Sequence, residues 1–309
     1  MKRYNKKIDT ITFWIVTPSF NQLDWLKLCL ASVADQVEAS SNQNCRIAVH
    51  HHVQDACSTD GTVTFLKEHH ANSTKLNAMG YTFSYESVKD EGMYDAINKG
   101  WQRAAECVDL VAYLNCDEQY LHQALYNVAA WFRRHTNNDV LYCGTIMVDQ
   151  QGEYLCHRHP LKPYLLNTKL TYLHVQTCSI FIQRKFLFTN NVFFDVRWKA
   201  AGDKVWMVQL CEKKARSATA ELWTSAFTMT NNNLGFSSVM EAEKKNYLAL
   251  IPKHLRVFRP AFITLNKMRR ALKICLNSAP TEYAIYSKGI KTRTPKKIIA
   301  PSGKFRRPT

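Results

Sequence analysis

No Cys-x-x-Cys spacing occurs among the ten cysteines, and most of them (Cys29, Cys107, Cys143, Cys178, Cys211 and Cys275 among them) sit in apolar stretches. They read as buried reduced thiols rather than as a disulfide framework. No apolar run approaches the roughly 18 residues that a membrane span needs. Met1 to Thr10 is polar and basic, and the apolar run Ile11–Val16 is too short for a secretion signal. No internal repeat is visible. These absences point to a cytoplasmic body.

Acidic residues are also scarce, 25 against 41 Lys and Arg in 309 residues, for a net charge of +16. The imbalance is local. From Glu241 onward there are 17 Lys and Arg and only three acids, Glu241, Glu243 and Glu282. The body before it is nearly neutral. That contrast predicts a catalytic domain over 1–240 and a basic helical extension over 241–309, with 288–309 mobile. After Pro260, residues Ala261, Leu265, Met268, Leu272 and Cys275 recur at helical spacing, with Lys267, Arg269, Arg270 and Lys273 off the stripe. Such a helix suits either an anionic membrane surface, here the inner face of the cytoplasmic membrane, or ordinary packing on the body with a solvated basic face.

What the chain does have is alternation of strand-like and helix-like segments. Ile11–Thr17, Arg46–Gln54, Tyr81–Ser87, Asp109–Asn115 and Val140–Val148 read as strands. Leu23–Val37, Thr62–His70, Met93–Glu106, Tyr120–His135 and Glu241–His254 read as helices. The class is α/β, a Rossmann-like, mostly parallel sheet flanked by helices. Ligands of such sheets sit at the carboxyl ends of strands. Ser19-Phe20-Asn21, Asp55 and Asp117-Glu118 all follow strands, which converges them on one nucleotide-sized site.

Adjacent carboxylates such as Asp117 and Glu118 can hold a hard divalent cation that grips phosphate oxygens. Asp55 can accept hydrogen bonds from a base or from ribose hydroxyls. The segment from Asp90 to Gly100 puts an acidic, glycine-containing turn before a helix, with Asp95, Asn98 and Lys99 in its first turns. Tyr94 is the aromatic singled out there for stacking, whereas Phe20, Trp25 and Trp101 read as core. The His50-His51-His52 triplet lies in a strand, so its side chains alternate between faces and do not converge on one ion.

Val16-Thr17-Pro18-Ser19-Phe20-Asn21, Asp55-Ala56-Cys57-Ser58-Thr59-Asp60-Gly61-Thr62, the run Asp90 to Gly100, and Leu114-Asn115-Cys116-Asp117-Glu118 follow in order. Together they resemble the successive signatures of family 2 glycosyltransferases, most closely the bacterial branch similar to colanic acid transferases of polysaccharide biosynthesis. The resemblance implies a GT-A fold, a nucleotide-diphosphate sugar donor (UDP-sugar favoured), Mg²⁺ or Mn²⁺, and a glycan or lipid-linked acceptor. It implies that Thr17, Pro18 and Asn21 line the nucleotide pocket, that Asp55 holds the base, and that Asp90 lies beside nucleotide and sugar. Tyr94, Asn98 and Lys99 would support that loop. Asp117, with Glu118 beside it, would bind metal. The stretch from Phe193 to Trp206 is similar to one whose late aspartate is the general base, which maps to Asp203. His174 and Gln176 resemble an acceptor-side segment, and Gly235-Phe236-Ser237 a closing motif. Two departures stand out: Ala56-Cys57 replaces a usual glycine pair, so that turn is expected to run without positive φ, and Glu118 replaces a second Asp.

Two other readings compete. One is a non-catalytic protein that binds a polyanion, nucleic acid or membrane, through its basic tail, although no known nucleic-acid-binding module is visible. The other is a metal-dependent nucleotidyltransferase.

Overall fold

The structure is a computed structural model that describes residues 10–40, 46–77, 79–230, 233, 235 and 237–303, leaving undescribed the side chains of residues 39, 40 and 74–76. Its architecture is the expected α/β one. Strands β1 (Thr10–Ser19), β2 (Arg46–Asp55), β3 (Tyr81–Ser87) and β4 (Leu110–Tyr113) pair in parallel in the order β3-β2-β1-β4. Helices α1 (Leu23–Ser40), α2 (Thr62–Asn77) and α3 (Met93–Gln102) follow the first three strands. Beyond β4 the sheet continues through strands placed by longer excursions of the chain. These are β5 (Glu118–Tyr120), β6 (Val140–Val148), β7 (Tyr154–Arg158), β8 (Ile180–Gln183) and β9 (Ser217–Thr228). β6 and β9 are parallel, whereas β8 pairs antiparallel with both β4 and β6.

The core explains why the strands read as unbroken apolar runs. Phe13 and Ile15 face one cluster with Leu26, Leu30 and Val33 of α1. Trp14 and Val16 face another with Ile97 and Trp101 of α3. A central parallel strand is covered on both faces, so alternation of polar and apolar residues disappears. Gly100 is required where α3 crosses β1, since a Cβ there would meet Val16 Cγ1 at 2.5 Å.

One helix boundary shifts. The segment expected as helical from Tyr120 begins instead as β5, and α4 spans Ala124–Arg134. Glu118–Tyr120 pair antiparallel with Ser225–Phe227 of β9, so pairing with a distant strand outweighs local helical periodicity.

After α5 (Leu165–Leu170), α6 (Arg184–Thr189) and α7 (Gly202–Glu212), the basic extension supplies α8 (Ser238–Leu250), α9 (Lys253–Arg256), α10 (Arg259–Leu276) and a hairpin of β10 (Glu282–Ile285) and β11 (Thr294–Lys297). The hairpin is tied to the body, contrary to the expectation of mobility for its described residues. The Arg293 guanidinium donates to both carboxylate oxygens of Asp35 and to the carbonyls of Tyr120 and Ser32. Residues 304–309 lie outside the described part.

Helix α10 packs with its faces inverted. Asn266 is fully buried against Asn167 and Thr171. Arg269 donates to the Lys162 carbonyl, Arg270 lies over the Tyr172 ring, and Lys273 pairs with Glu221. Leu265, Met268, Leu272 and Leu276 are 44%, 64%, 58% and 73% exposed. The periodic apolar stripe faces outward, and Arg269, Arg270 and Lys273 face the body while Lys267 stays exposed.

Candidate functional site

Strand register assembles the site. Ser19 of β1 lies beside Asp55 of β2, which lies beside Ser87 of β3. The chain then leaves each strand into a loop, and these loops ring a cavity of about 840 Å³ over the carboxyl edge. Pro18, Phe20, Asp90, Tyr94, Asp117 and Asp203 are on its wall.

Asp117 reaches the cavity from the turn between β4 and β5. Its Oδ2 accepts from Asn233 Nδ2 at 3.3 Å, and burial raises its pKa. Asp203 opens α7. Its Oδ1 accepts the Tyr113 hydroxyl proton at 2.9 Å. Burial pushes its pKa up to about 6, a shift that hydrogen bonds from Tyr113 and Tyr94 oppose. Asp90 Oδ1 caps the Gly92 N–H at 2.9 Å. Its pKa is raised, first by burial and then by the charges of Asp95 and Asp55.

Several of the residues expected around the nucleotide hold the loops in place. Thr17 is fully buried and bonds His51 Nε2 at 2.9 Å, off the cavity wall. Asp55 is also fully buried. Its carboxylate accepts from the Ser58 N–H, the Ser58 hydroxyl and the Ser87 hydroxyl, which organises the turn after β2. Asn21 Oδ1 accepts the Thr59 N–H at 2.7 Å, locking the β1 and β2 loops together. Asn98 bonds both the N–H and the C=O of Phe194. Lys99 pairs with Asp95 at 2.8 Å and donates to the Lys89 carbonyl, fixing the acidic turn from outside the wall.

Tyr94, expected to stack on ligand, is 2% exposed. Its ring stacks on Phe194 at 4.8 Å between centroids, and its hydroxyl donates to the Ala200 carbonyl. Phe20 carries the open ring on this wall, 59% exposed. Cys57 adopts φ 59°, so the turn keeps its left-handed residue without the glycine, contrary to expectation. Such a conformation costs an L-residue about 1–2 kcal/mol.

Glu118 is not on the wall either. Its Oε2 accepts the Asn115 N–H at 2.7 Å, and Oε1 is buried without a hydrogen-bond partner. Burial first, and Asp117 second, raise its pKa. Among the described residues no group of three or more His, Cys, Asp and Glu gathers as a metal cage. Asp117, with Glu118 turned off the wall, does not fit a closed protein site. It does fit an ion whose other ligands are phosphate oxygens and water, the common mode for Mg²⁺.

Three residues that hold this site escaped the sequence reading. Tyr113 is the last residue of β4, so the strand-end rule that found its neighbours reaches it too. Asn233 and Glu243 carry no local signal. Glu243 of α8 accepts the N–H groups of Lys199, Ala200 and Ala201, 2.6–2.9 Å away, and so anchors the loop before Asp203. His174 and Gln176 border a second cavity of about 480 Å³ that shares Gln176, Leu173 and Asn233 with the first. Phe236 of the closing motif lies outside the described residues.

A parallel β3-β2-β1-β4 sheet extended by antiparallel strands, with an acidic cleft over its carboxyl edge, is the GT-A type of α/β fold. The chain belongs to glycosyl transferase family 2, whose sequence model matches residues 14–193. No curated protein matches the chain. Among solved structures, S. aureus TarS 1-349 in complex with UDP-GlcNAc aligns with a TM-score of 0.56 at 17% identity, over 85% of this chain and 73% of that one. The structure titled S. aureus TarS gives 0.55 at 15% identity, over 92% of this chain and 60% of that one. At these identities the likeness is one of fold.

Proposed function

We propose that the protein transfers a sugar from a nucleotide diphosphate donor, with a UDP-sugar favoured, to a hydroxyl of a glycan or lipid-linked acceptor in surface polysaccharide synthesis. The observation that carries this reading is that Asp117, on the turn after β4, and Asp203, in the first turn of α7, line one cavity. Family membership and the UDP-GlcNAc bound to the similarly folded TarS support the donor class.

The chemistry follows from the residues. The acceptor oxygen attacks the anomeric carbon while the Asp203 carboxylate takes its proton. The bond from that carbon to the diphosphate breaks, and its electron pair leaves on the β-phosphate oxygen. Displacement in one step inverts the anomeric centre. Asp203 must be ionised to act as base. Its pKa near 6 leaves it mostly so at neutral pH and ties activity to a rise through that range. Asp117 would hold Mg²⁺ or Mn²⁺, which supplies positive charge to the leaving diphosphate. Tyr113 positions the Asp203 carboxylate, and Glu243 holds the loop that carries it.

The outward stripe of α10 suits attachment to an anionic membrane as a peripheral protein. Leu265, Met268 and Leu272 would enter the interface, with exposed Lys253, Arg259 and Lys267 against the headgroups. Among the described residues no helix is long and apolar enough to cross a membrane. Phosphatidylglycerol vesicles should capture the protein in a salt-sensitive way, and Leu265→Glu with Met268→Glu should abolish capture while leaving UDP binding intact. Capture unchanged by those substitutions would remove the membrane role.

The transfer reading is tested by incubating the protein with a panel of nucleotide sugars and divalent cation, and following sugar release or transfer. One donor class should be hydrolysed slowly without acceptor. Inertness toward every nucleotide sugar, despite tight nucleotide binding, would count against it.

A further inference from the structure

The cavity beside the acidic one has the opposite charge. Arg158, the last residue of β7, and Arg270, from the body-facing side of α10, both line it, and no acid lies on its wall. Arg158 donates to the Gly303 carbonyl and Arg270 lies over the Tyr172 ring. Neither has a carboxylate partner among the described residues. The contrast within the same extension is informative: Lys273, on the next turn of α10, is paired with Glu221, and Arg293 with Asp35. The fold pairs some cations of the extension with carboxylates and leaves these two, which share a cavity, without one.

His174 adds a second observation. It is 1% exposed, lines the same cavity, and neither ring nitrogen has a hydrogen-bond partner. Burial, with Arg269, Arg270 and Lys204 nearby, lowers its pKa to about 3, so it is a neutral imidazole with one N–H to donate. Arg270 has its pKa lowered by burial and by the charge of Arg158, and such repulsion between guanidinium groups that share a cavity is relieved when an anion joins them. Guanidinium forks match phosphate oxygens in pairs.

We propose that this cavity is an acceptor subsite in which a phosphate or pyrophosphate group of the acceptor seats between Arg158 and Arg270, with His174 donating a further hydrogen bond. Gln176 and Leu173 belong to both cavities, so an acceptor anchored there extends its hydroxyl toward Asp203. The inference rests on the sugar-transfer reading and assigns the acceptor as an anion. Such a group occurs either at the lipid end of a carrier-linked acceptor, as a pyrophosphate, or along a polymer backbone, as a phosphodiester.

The test is calorimetric titration of the full chain with sodium pyrophosphate without divalent cation, so that the probe cannot enter the acidic cavity on a metal. UDP affinity is measured first on the same samples. The wild type should bind pyrophosphate. Arg158→Gln and Arg270→Gln should each weaken binding about tenfold or more, and Arg270→Lys less, with UDP affinity unchanged. Thermal melting of each variant separates loss of the site from loss of the fold. Dimethyl phosphate serves as the polymer probe. Tighter binding of pyrophosphate supports a carrier-linked acceptor, and tighter binding of the diester supports a backbone phosphate. No binding of either at about 10 mM, retention of binding in a folded double variant, or equal affinity for sodium malonate would overturn the phosphate subsite. If UDP fails to bind even in the presence of Mn²⁺, the transferase reading falls instead.

Discussion

The two adjoining cavities differ most in charge. One carries Asp90, Glu91, Asp95, Asp117 and Asp203 against Lys89 and Lys199, and the other carries Arg158 and Arg270 with no acid. A nucleotide diphosphate entering an acidic cleft is repelled unless a cation comes with it, whereas an anion entering the basic cavity needs none. On the proposed reading, one wall serves two phosphate-bearing substrates and keeps them apart: a metal goes with the donor and the arginines go with the acceptor.

The sharpest way to break this division is at Asp203, the proposed base. Asp203→Asn should lower transfer by about 10²–10⁴-fold while UDP affinity stays as it was, because the partner of its carboxylate is Tyr113 rather than a phosphate site. The pH profile of the wild-type rate gives the sign. The group's pKa is raised, so the base form is lost as pH falls below about 6, and the rate should fall with it. The same raised pKa means that ionised Asp203 disfavours the folded state at neutral pH, so the neutral amide should not destabilise the fold through charge. Unchanged transfer in this variant would remove Asp203 from the chemistry.

A smaller effect is expected one step away. Glu243→Gln weakens the charged acceptor that gathers the N–H groups of residues 199–201. Transfer should fall about tenfold with the pH midpoint unmoved, since Glu243 acts through loop position. A shift of that midpoint would instead place Glu243 in the proton transfer. The smallest effect belongs to the turn after β2. Cys57→Gly relieves a left-handed residue and should stabilise the protein by about 0.5–1 kcal/mol, read by denaturant unfolding, with activity unchanged. Destabilisation there would show that the thiol contributes packing that the strain does not outweigh.

The sequence made the parallel half of the sheet and the strand-tip location of the site legible, because buried runs and the loops after them are local patterns. Asp90, Asp117 and Asp203 all stand on one cavity wall. Thr17, Asn98 and Glu118 belong to the same motifs yet are buried off that wall. A loop that must hold a ligand also has to be held itself, and a motif does not distinguish the two duties. Tyr113, Asn233 and Glu243 act across 90, 116 and about 43 residues of chain, so no spacing rule connects them to their partners. In α10 the apolar period was readable but its direction was not. Which side faces the body depends on Asn167, Tyr172 and Glu221, residues of other elements that meet it only in the fold.

On the proposed reading the acidic cavity takes a nucleotide diphosphate by way of a cation held on Asp117. The decisive measurement is titration of UDP with and without Mn²⁺, on the wild type and on Asp117→Asn. The predicted result is wild-type affinity raised about 10²-fold by the metal, and an Asp117→Asn variant that binds UDP weakly and equally in both conditions. Equal wild-type affinity in Mn²⁺ and in chelator, or full metal enhancement in the variant, would contradict it.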